Sequence, residues 1–584
     1  MTILTFAYLA LAVAAIALLV WRLKSHPTTY GSARWLAVWS AQANGLFRKG
    51  GLLVGDWSGL APVSVGGSGH AITIAPTGAG KGTCAIIPNL LRRNFIFLLD
   101  PGGENTAVAI KGWRKKGFAV QVLNPWKMFP DEPWSLPAHS FNPLDGLAPE
   151  SPTFASDAAL IAEMLVVRPA GEGGNSVFFK NEAESFLRAH IMHIVLTQPP
   201  EARNLVTLRR QIMCPFAQWQ KLLAAMAANE VCGGLIAGAG NNMLRRLMQS
   251  AEEYSGVHSS ITECTRFLDD PIIQEALGSS SADFSVLKGL QNGAPVPGAV
   301  VAVVIPLKHI SSFAVYSRLA VACAIREMQS GALAREQVLF VLDEFAAMQR
   351  MPVIINGVAT LRKYNVCLWP IVQDVNQLAH IYGREWQTLI SNATLRQWLA
   401  TSDLETARYV SALCGQSTVE TKTKSHDGRI TRSEAGRTLI TPGETMTMGR
   451  GQQIALIGNL SPVRLWMTPY WARPELQGLY NRNPYYTGPE RGLPPEAPLL
   501  ALWGVLVKFI AWLVRPAPAI VYAAVIMLLL LLNPAVRVDG YWDPRDRSVV
   551  CVYRRVLERS EYLFYRLQTP AQCPSVGLRM SVWI

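Results

Sequence analysis

No two of the nine cysteines form a CxxC pair, and no histidines gather at metal-ligand spacing. That pattern argues against a zinc site and against a redox motif. The seven cysteines within residues 84–414 read as reduced thiols buried in a cytosolic domain. Internal repeats and low-complexity tracts are missing as well, which sets aside a repeat solenoid. Acidic residues are in deficit: 41 Asp and Glu face 54 Lys and Arg, a net charge of +13. Such an excess suits an anionic partner, either nucleic acid or an anionic membrane face. Positive charge is also absent ahead of the apolar stretch 3–21, whereas Arg22, Lys24, Arg34, Arg48 and Lys49 follow it before any acid. A cleaved export signal carries its charge the other way round. The stretch therefore reads as a membrane anchor, with the chain after it in the cytoplasm.

What is there, first, is a phosphate loop. The apolar run Ala71-Ile72-Thr73-Ile74 leads into Ala75-Pro76-Thr77-Gly78-Ala79-Gly80-Lys81-Gly82-Thr83, and a helical stretch begins at Cys84. Small residues let backbone N–H groups curl round a phosphate, the lysine reaches the outer phosphates, and the helix turns its positive end to the same charge. Nucleoside triphosphate binding through Thr77, Gly78, Ala79, Gly80, Lys81, Gly82 and Thr83 is expected. Two positions depart from the usual pattern. Ala75 stands where a glycine is common, and Gly82 where a Ser or Thr commonly ligates magnesium. Thr83 is one residue later, about 100° further round a helix, and cannot simply take over.

Far downstream, Val338-Leu339-Phe340-Val341-Leu342 ends in Asp343-Glu344. A fully apolar strand suits the centre of a parallel sheet, and carboxylates at its C-terminal end reach the crevice where such sheets bind ligands. In a nucleotide motor Asp343 would hold Mg²⁺ and Glu344 would activate the attacking water. Otherwise the pair would only complement a helix dipole.

Further strand-like runs at 95–99, 299–305 and 366–372 complete an α/β pattern, with Asp100-Pro101-Gly102-Gly103-Glu104 and Gln373-Asp374 at strand ends. Between 148 and 290 the apolar spacing turns helical, and 418–438 reads as a polar, basic surface loop, either solvated or touching nucleic acid. The expected organisation is an anchor (1–25), a nucleotide-binding domain in two parts (26–147 and 291–485) around an all-helical insertion (148–290), a linker with membrane segments (486–536) and a basic tail (537–584). Residues 518–536 are expected to span the membrane. The stretch 499–514, which contains Lys508, is either a second span or an interfacial helix. Arginines in the tail favour the cytoplasm; a Cys551–Cys573 pairing would favour the oxidising side.

Together these segments resemble the type IV secretion coupling proteins, the membrane-anchored ATPases of conjugative DNA transfer. The matching pieces run in family order: Tyr30-Gly31-Ser32-Ala33-Arg34-Trp35, the phosphate loop with Ile87-Pro88-Asn89-Leu90-Leu91, Leu99-Asp100-Pro101-Gly102-Gly103-Glu104, and Phe141-Asn142-Pro143-Leu144-Asp145. Leu342-Asp343-Glu344-Phe345, Gln373-Asp374-Val375-Asn376-Gln377-Leu378 and Thr401-Ser402-Asp403-Leu404-Glu405-Thr406-Ala407 follow. Glycine after the loop lysine is common in this family. The resemblance implies a RecA-like P-loop NTPase domain interrupted by an all-α domain, assembled as a homo-hexamer at the bacterial inner membrane and using ATP and Mg²⁺. It matches Arg362 to an arginine finger acting on the neighbour's nucleotide, the alternative being an exposed helix-end cation, and Gln373 to a γ-phosphate sensor. Implied partners are a relaxase–DNA complex or a secreted protein, the secretion channel, and single- or double-stranded DNA gripped without sequence preference. The family's usual N-terminal pair of spans is not matched: the sequence offers one N-terminal span and apolar segments near its other end. The expectation is a multi-pass protein with a cytoplasmic ATPase that feeds a nucleoprotein to the channel. Its rivals are an ATPase for protein effectors alone and a docking receptor tuned by nucleotide.

Overall fold

The computed structural model describes residues 28–59, 61–67, 69–168, 173–424, 430–449 and 451–489, together with four strands between 535 and 577. One sheet dominates. Its eleven strands are β1 (Leu52–Trp57), β2 (Ala61–Val65), β3 (His70–Ile74), β4 (Phe95–Pro101), β5 (Ala119–Leu123) and β6 (Ala299–Ile305), then β7 (Val338–Leu342), β8 (Val366–Val372), β9 (Ala393–Leu399), β10 (Gln452–Ile457) and β11 (Val463–Trp466). They lie in the order β2-β1-β11-β10-β9-β3-β8-β7-β4-β6-β5. From β9 to β5 all pairings are parallel, and from β9 to β2 all are antiparallel.

The parallel half is apolar along whole strands because both of its faces are covered. Phe95, Phe97 and Leu99 of β4 enter one buried core, while Ile96 and Leu98 enter the other. Strand β7 divides in the same way, with Val338, Phe340 and Leu342 on the first side and Leu339 and Val341 on the second. Register then sets what meets at the C-terminal edge. Ile74 pairs with Val372, Leu342 with Pro370, and Leu99 with Leu342. Ala75, Asp343 and Gln373, which follow their strands, and Asp100, near the end of β4, are thereby brought to one crevice.

Between β5 and its neighbour β6 the described residues include seven α-helices, from Phe154–Leu165 to Pro271–Gly278. Their apolar faces share a core with one side of the sheet. Residues 416–438 are not a plain loop: Gln416–Lys424 and Ile430–Thr438 pair as an antiparallel hairpin, residues 425–429 lying outside the described set. The β-branched Thr418, Val419 and Thr421 fit a pleated strand.

The expected multi-pass membrane protein is corrected. Among the described residues no helix is long and apolar enough to cross a membrane. The 23-residue helix Asn175–Thr197 has the length, but Lys180, Glu182, Glu184, Arg188, His190 and His193 run along it. Stretches 3–21 and 499–514 lie outside the described residues, as do residues 518–534. Ala535 and Val536, placed at the end of an expected span, instead begin strand Ala535–Asp543. That strand pairs antiparallel with Ser548–Arg555 and Val576–Gly577, and Tyr562–Leu567 adds at the edge, so the tail contains a four-stranded sheet. Cys573 is outside the described residues.

Candidate nucleotide site

Strand β3 hands over to the loop through one more ladder bond, from Ala75 N–H to Val372 O at 2.8 Å. The turn then needs two left-handed residues, and they are Gly78 (φ 78°) and Gly80 (φ 85°). A side chain there would be strained, which is why glycine occupies both. Thr77 and Gly78 are exposed, so the cradle is open. Lys81–Ile86 winds as a π-helix before Ile87–Leu90 continues as α. Pro88 has no N–H to give to the preceding turn, and a wider winding accommodates the gap. Asn89 pins the helix to β1, accepting from Leu53 N–H at 2.7 Å and donating to Leu53 O at 2.9 Å.

Lys81 meets both acids. Its Nζ lies 3.1 Å from Asp343 Oδ1 and also binds Glu344 Oε1. Gln373 Nε2 donates to Glu344 Oε2 at 3.1 Å, and Glu344 N–H donates to Asp343 Oδ1 at 3.0 Å. Burial works against the Lys81 ammonium, but the two carboxylates outweigh it and hold its pKa above the ordinary value. Burial lifts the Asp343 carboxyl, with Lys81 pulling the other way. Glu344 itself sits at φ 49° and ψ 42°, left-handed for a residue with a side chain.

Three residues outside the expected set of site residues complete the wall. Asp100 is fully buried and accepts from Thr106 N–H (2.7 Å), Thr106 Oγ1 (2.6 Å) and Asn105 Nδ2 (2.8 Å). Burial nevertheless pushes its carboxyl up to about 7. Glu104, also raised by burial, accepts from Asn483 Nδ2 at 2.6 Å. Asn105 is 4% exposed and lies against Gly82. Position at a strand end hinted at Asp100 and Glu104; nothing in the local pattern marked Asn105. Arg318, also unmarked, is 1% exposed and donates to the carbonyls of Met164, Met348, Arg350 and Glu163, which ties down the segment following Glu344.

The structure thus gathers Lys81, Asp343, Glu344 and Gln373 around the loop 77–83. Thr83 Oγ1 turns back to Gly80 O at 3.3 Å. Arg362 is not in the cluster. It lies in the short helix Leu361–Tyr364 before β8, close enough to His70 at the start of β3 to act on it electrostatically. Beside Thr83 opens a cavity of about 520 Å³ whose walls include Tyr470, Trp471, Tyr480, Tyr486 and Lys111. Its volume and aromatic lining suit a flat heterocycle. Among the described residues no group of three or more His, Cys, Asp or Glu is poised to hold a metal. An ion here would need oxygens from a phosphate as well, which is how Mg²⁺ is commonly held.

A model of the family described as type IV secretory system conjugative DNA transfer matches residues 34–487. The probable conjugal transfer protein TraG of Sinorhizobium fredii (strain NBRC 101917 / NGR234) is 24% identical over 426 residues, covering 70% of this chain and 63% of that protein. The chain therefore spans less than two thirds of that relative. Among solved structures, the unbound bacterial conjugative coupling protein TrwBdeltaN70 superposes with a TM-score of 0.57 at 15% identity, over 76% of this chain and 95% of the other. Plasmid coupling protein TrwB in complex with ADP and Mg²⁺ gives 0.54 at 16% identity, over 75% of this chain and 96% of that one. At such identity the likeness is one of fold.

Proposed function

The chain belongs to the type IV secretory system conjugative DNA-transfer family, and we propose that it is a coupling ATPase, which recruits a relaxase–DNA substrate and drives it into a type IV channel. One observation carries this reading: Lys81, Asp343, Glu344 and Gln373 converge at the C-terminal edge of a parallel sheet, beside an open phosphate loop. The nucleotide complex of the similarly folded TrwB supports it.

In this scheme Lys81 exchanges its carboxylate partners for the β- and γ-phosphates, freeing both acids. Asp343 would hold a magnesium ion, which when bound neutralises phosphate charge. Glu344, positioned by Gln373, accepts the proton of the attacking water. Gln373 would register the γ-phosphate through the same hydrogen bond. The backbone N–H groups of residues 77–83 cradle the phosphates, and the cavity beside Thr83 takes the base. Arg362 reaches a nucleotide only from a neighbouring subunit, as in a homo-hexameric ring. The basic excess would grip a DNA backbone without reading its sequence.

ATP turnover by the wild type, Lys81→Ala and Glu344→Gln tests the reading. Lys81→Ala should weaken nucleotide binding, whereas Glu344→Gln should bind ATP normally and hydrolyse it at least about 100-fold more slowly. Wild-type turnover by Glu344→Gln would remove Glu344 from the role of base. DNA binding by residues 26–485 that weakens steeply with salt would favour DNA cargo over protein effectors.

A further inference from the structure

Gly82 leaves the phosphate loop without the hydroxyl that commonly follows the lysine. The space beside it is not empty: a Cβ added at Gly82 would lie 3.1 Å from Asn105 Oδ1. That oxygen is buried and has no hydrogen-bond partner among the described residues. Buried amide oxygens are ordinarily satisfied, so an orphan one needs a reason. Nor can the amide turn over to relieve it. Its Nδ2 donates to Asp100 Oδ1, which also receives Asn105 N–H at 3.4 Å, while Asp100 Oδ2 is taken by Thr106 N–H and Oγ1. A carboxylate so surrounded accepts the NH₂ end of the amide only, and the carbonyl end must face Gly82.

We propose that Asn105 Oδ1 replaces the missing hydroxyl and, with Asp343, supplies a protein oxygen to the magnesium ion of the bound nucleotide. An amide carbonyl is a hard oxygen donor of the kind such an ion takes. Asp100 acts through Asn105 as a positioning residue, holding its carbonyl in place. The inference rests on the reading of this crevice as a nucleotide site.

The test measures affinity for a fluorescent ADP analogue in Mg²⁺ and in EDTA, using the full chain. Asn105→Ala should leave the EDTA affinity unchanged and cut the gain conferred by Mg²⁺ about tenfold. The double variant Gly82→Ser/Asn105→Ala, which returns a hydroxyl to the vacated space, should recover most of that gain. An equal loss with and without metal, or an undiminished gain, would overturn the proposal. Should Asn105→Ala not fold, the wild type labelled with ¹³C-asparagine and loaded with Mn²⁺–ADP settles it by electron–nuclear double resonance. A carbonyl ¹³C coupling is expected, and its absence refutes the assignment. If the wild type binds no nucleotide in either buffer, the reading of the site falls first and the inference with it.

Discussion

His190 shows how much a single buried group can set. It lies in Asn175–Thr197 with Nε2 2.7 Å from Gln211 Oε1 and Nδ1 buried with no partner among the described residues. Burial lowers its pKa to about 4, against 6.5 in an open chain. The folded state therefore binds fewer protons than the unfolded one between those values. The stability this confers is complete above pH 6.5 and is lost as pH falls towards 4, in total about 3 kcal/mol. His193, one turn on, is shifted the same way by burial. Melting temperature between pH 7 and 4.5 should fall less steeply for His190→Gln than for the wild type; parallel slopes would remove His190 from the account. Lys81, Glu344 and Gln373 were legible as residues because their chemistry is tied to strand ends. Asn105 was not, since its role depends on a contact with Gly82, 23 positions away in the chain.

Arg473 and Asp56 join the short helix Pro474–Leu476 to β1 through a bidentate pair, 2.6 and 3.2 Å, with side chains 3% and 5% exposed. Removing Asp56 leaves the buried guanidinium with only the half-exposed Glu475, 3.8 Å away, as an acidic partner among the described residues. Asp56→Ala should cost about 3–5 kcal/mol, read from urea unfolding, and adding Arg473→Met should return part of it. A cost below about 1 kcal/mol would mean that Glu475 or water compensates the guanidinium. The sequence showed elements unevenly, for a related reason. Strands β3, β4, β6, β7 and β8 were readable because burial on both faces makes them continuously apolar. Strands β1, β2, β5, β9, β10 and β11 were not, because Gly55, Asp56, Pro62, Gln121, Arg396, Gln397, Gln452 and Arg464 interrupt them. Several of those interruptions are satisfied only across the finished sheet: Arg464 donates to Gln452 Oε1, and Gln397 donates to Val54 O and to Gln453, which also donates to Val54 O. No local pattern reveals such a partner.

Across the whole molecule, Arg362 and Lys81 lie at opposite ends of the same strands. The residues His70–Ile74, 5 in number at roughly 3.3 Å each, separate the two ends by roughly 16 Å. On the proposed reading, an arginine so placed would serve a neighbour's nucleotide rather than that of its own chain. Mixing Arg362→Ala with Lys81→Ala subunits should therefore restore part of the ATPase activity that each lacks alone, at interfaces where both residues are intact. Stable mixed assemblies with no recovery would limit Arg362 to a structural role. At this scale the sequence carried the least, because any contact between copies would leave no periodicity in one copy.

The double ion pair of Lys81 also bears on what the loop refuses. A protein that handles a polyanion risks having its own phosphate cradle occupied by the cargo. Here the ammonium is already engaged by two carboxylates. A phosphodiester of DNA brings a single negative charge and would leave Asp343 and Glu344 facing it unpaired. A triphosphate arrives with several charges and its own cation, and can compensate all three side chains at once. On the proposed reading, the acids assigned to hydrolysis would thus also act as a counterion filter, keeping the engine's fuel port distinct from the track of its load.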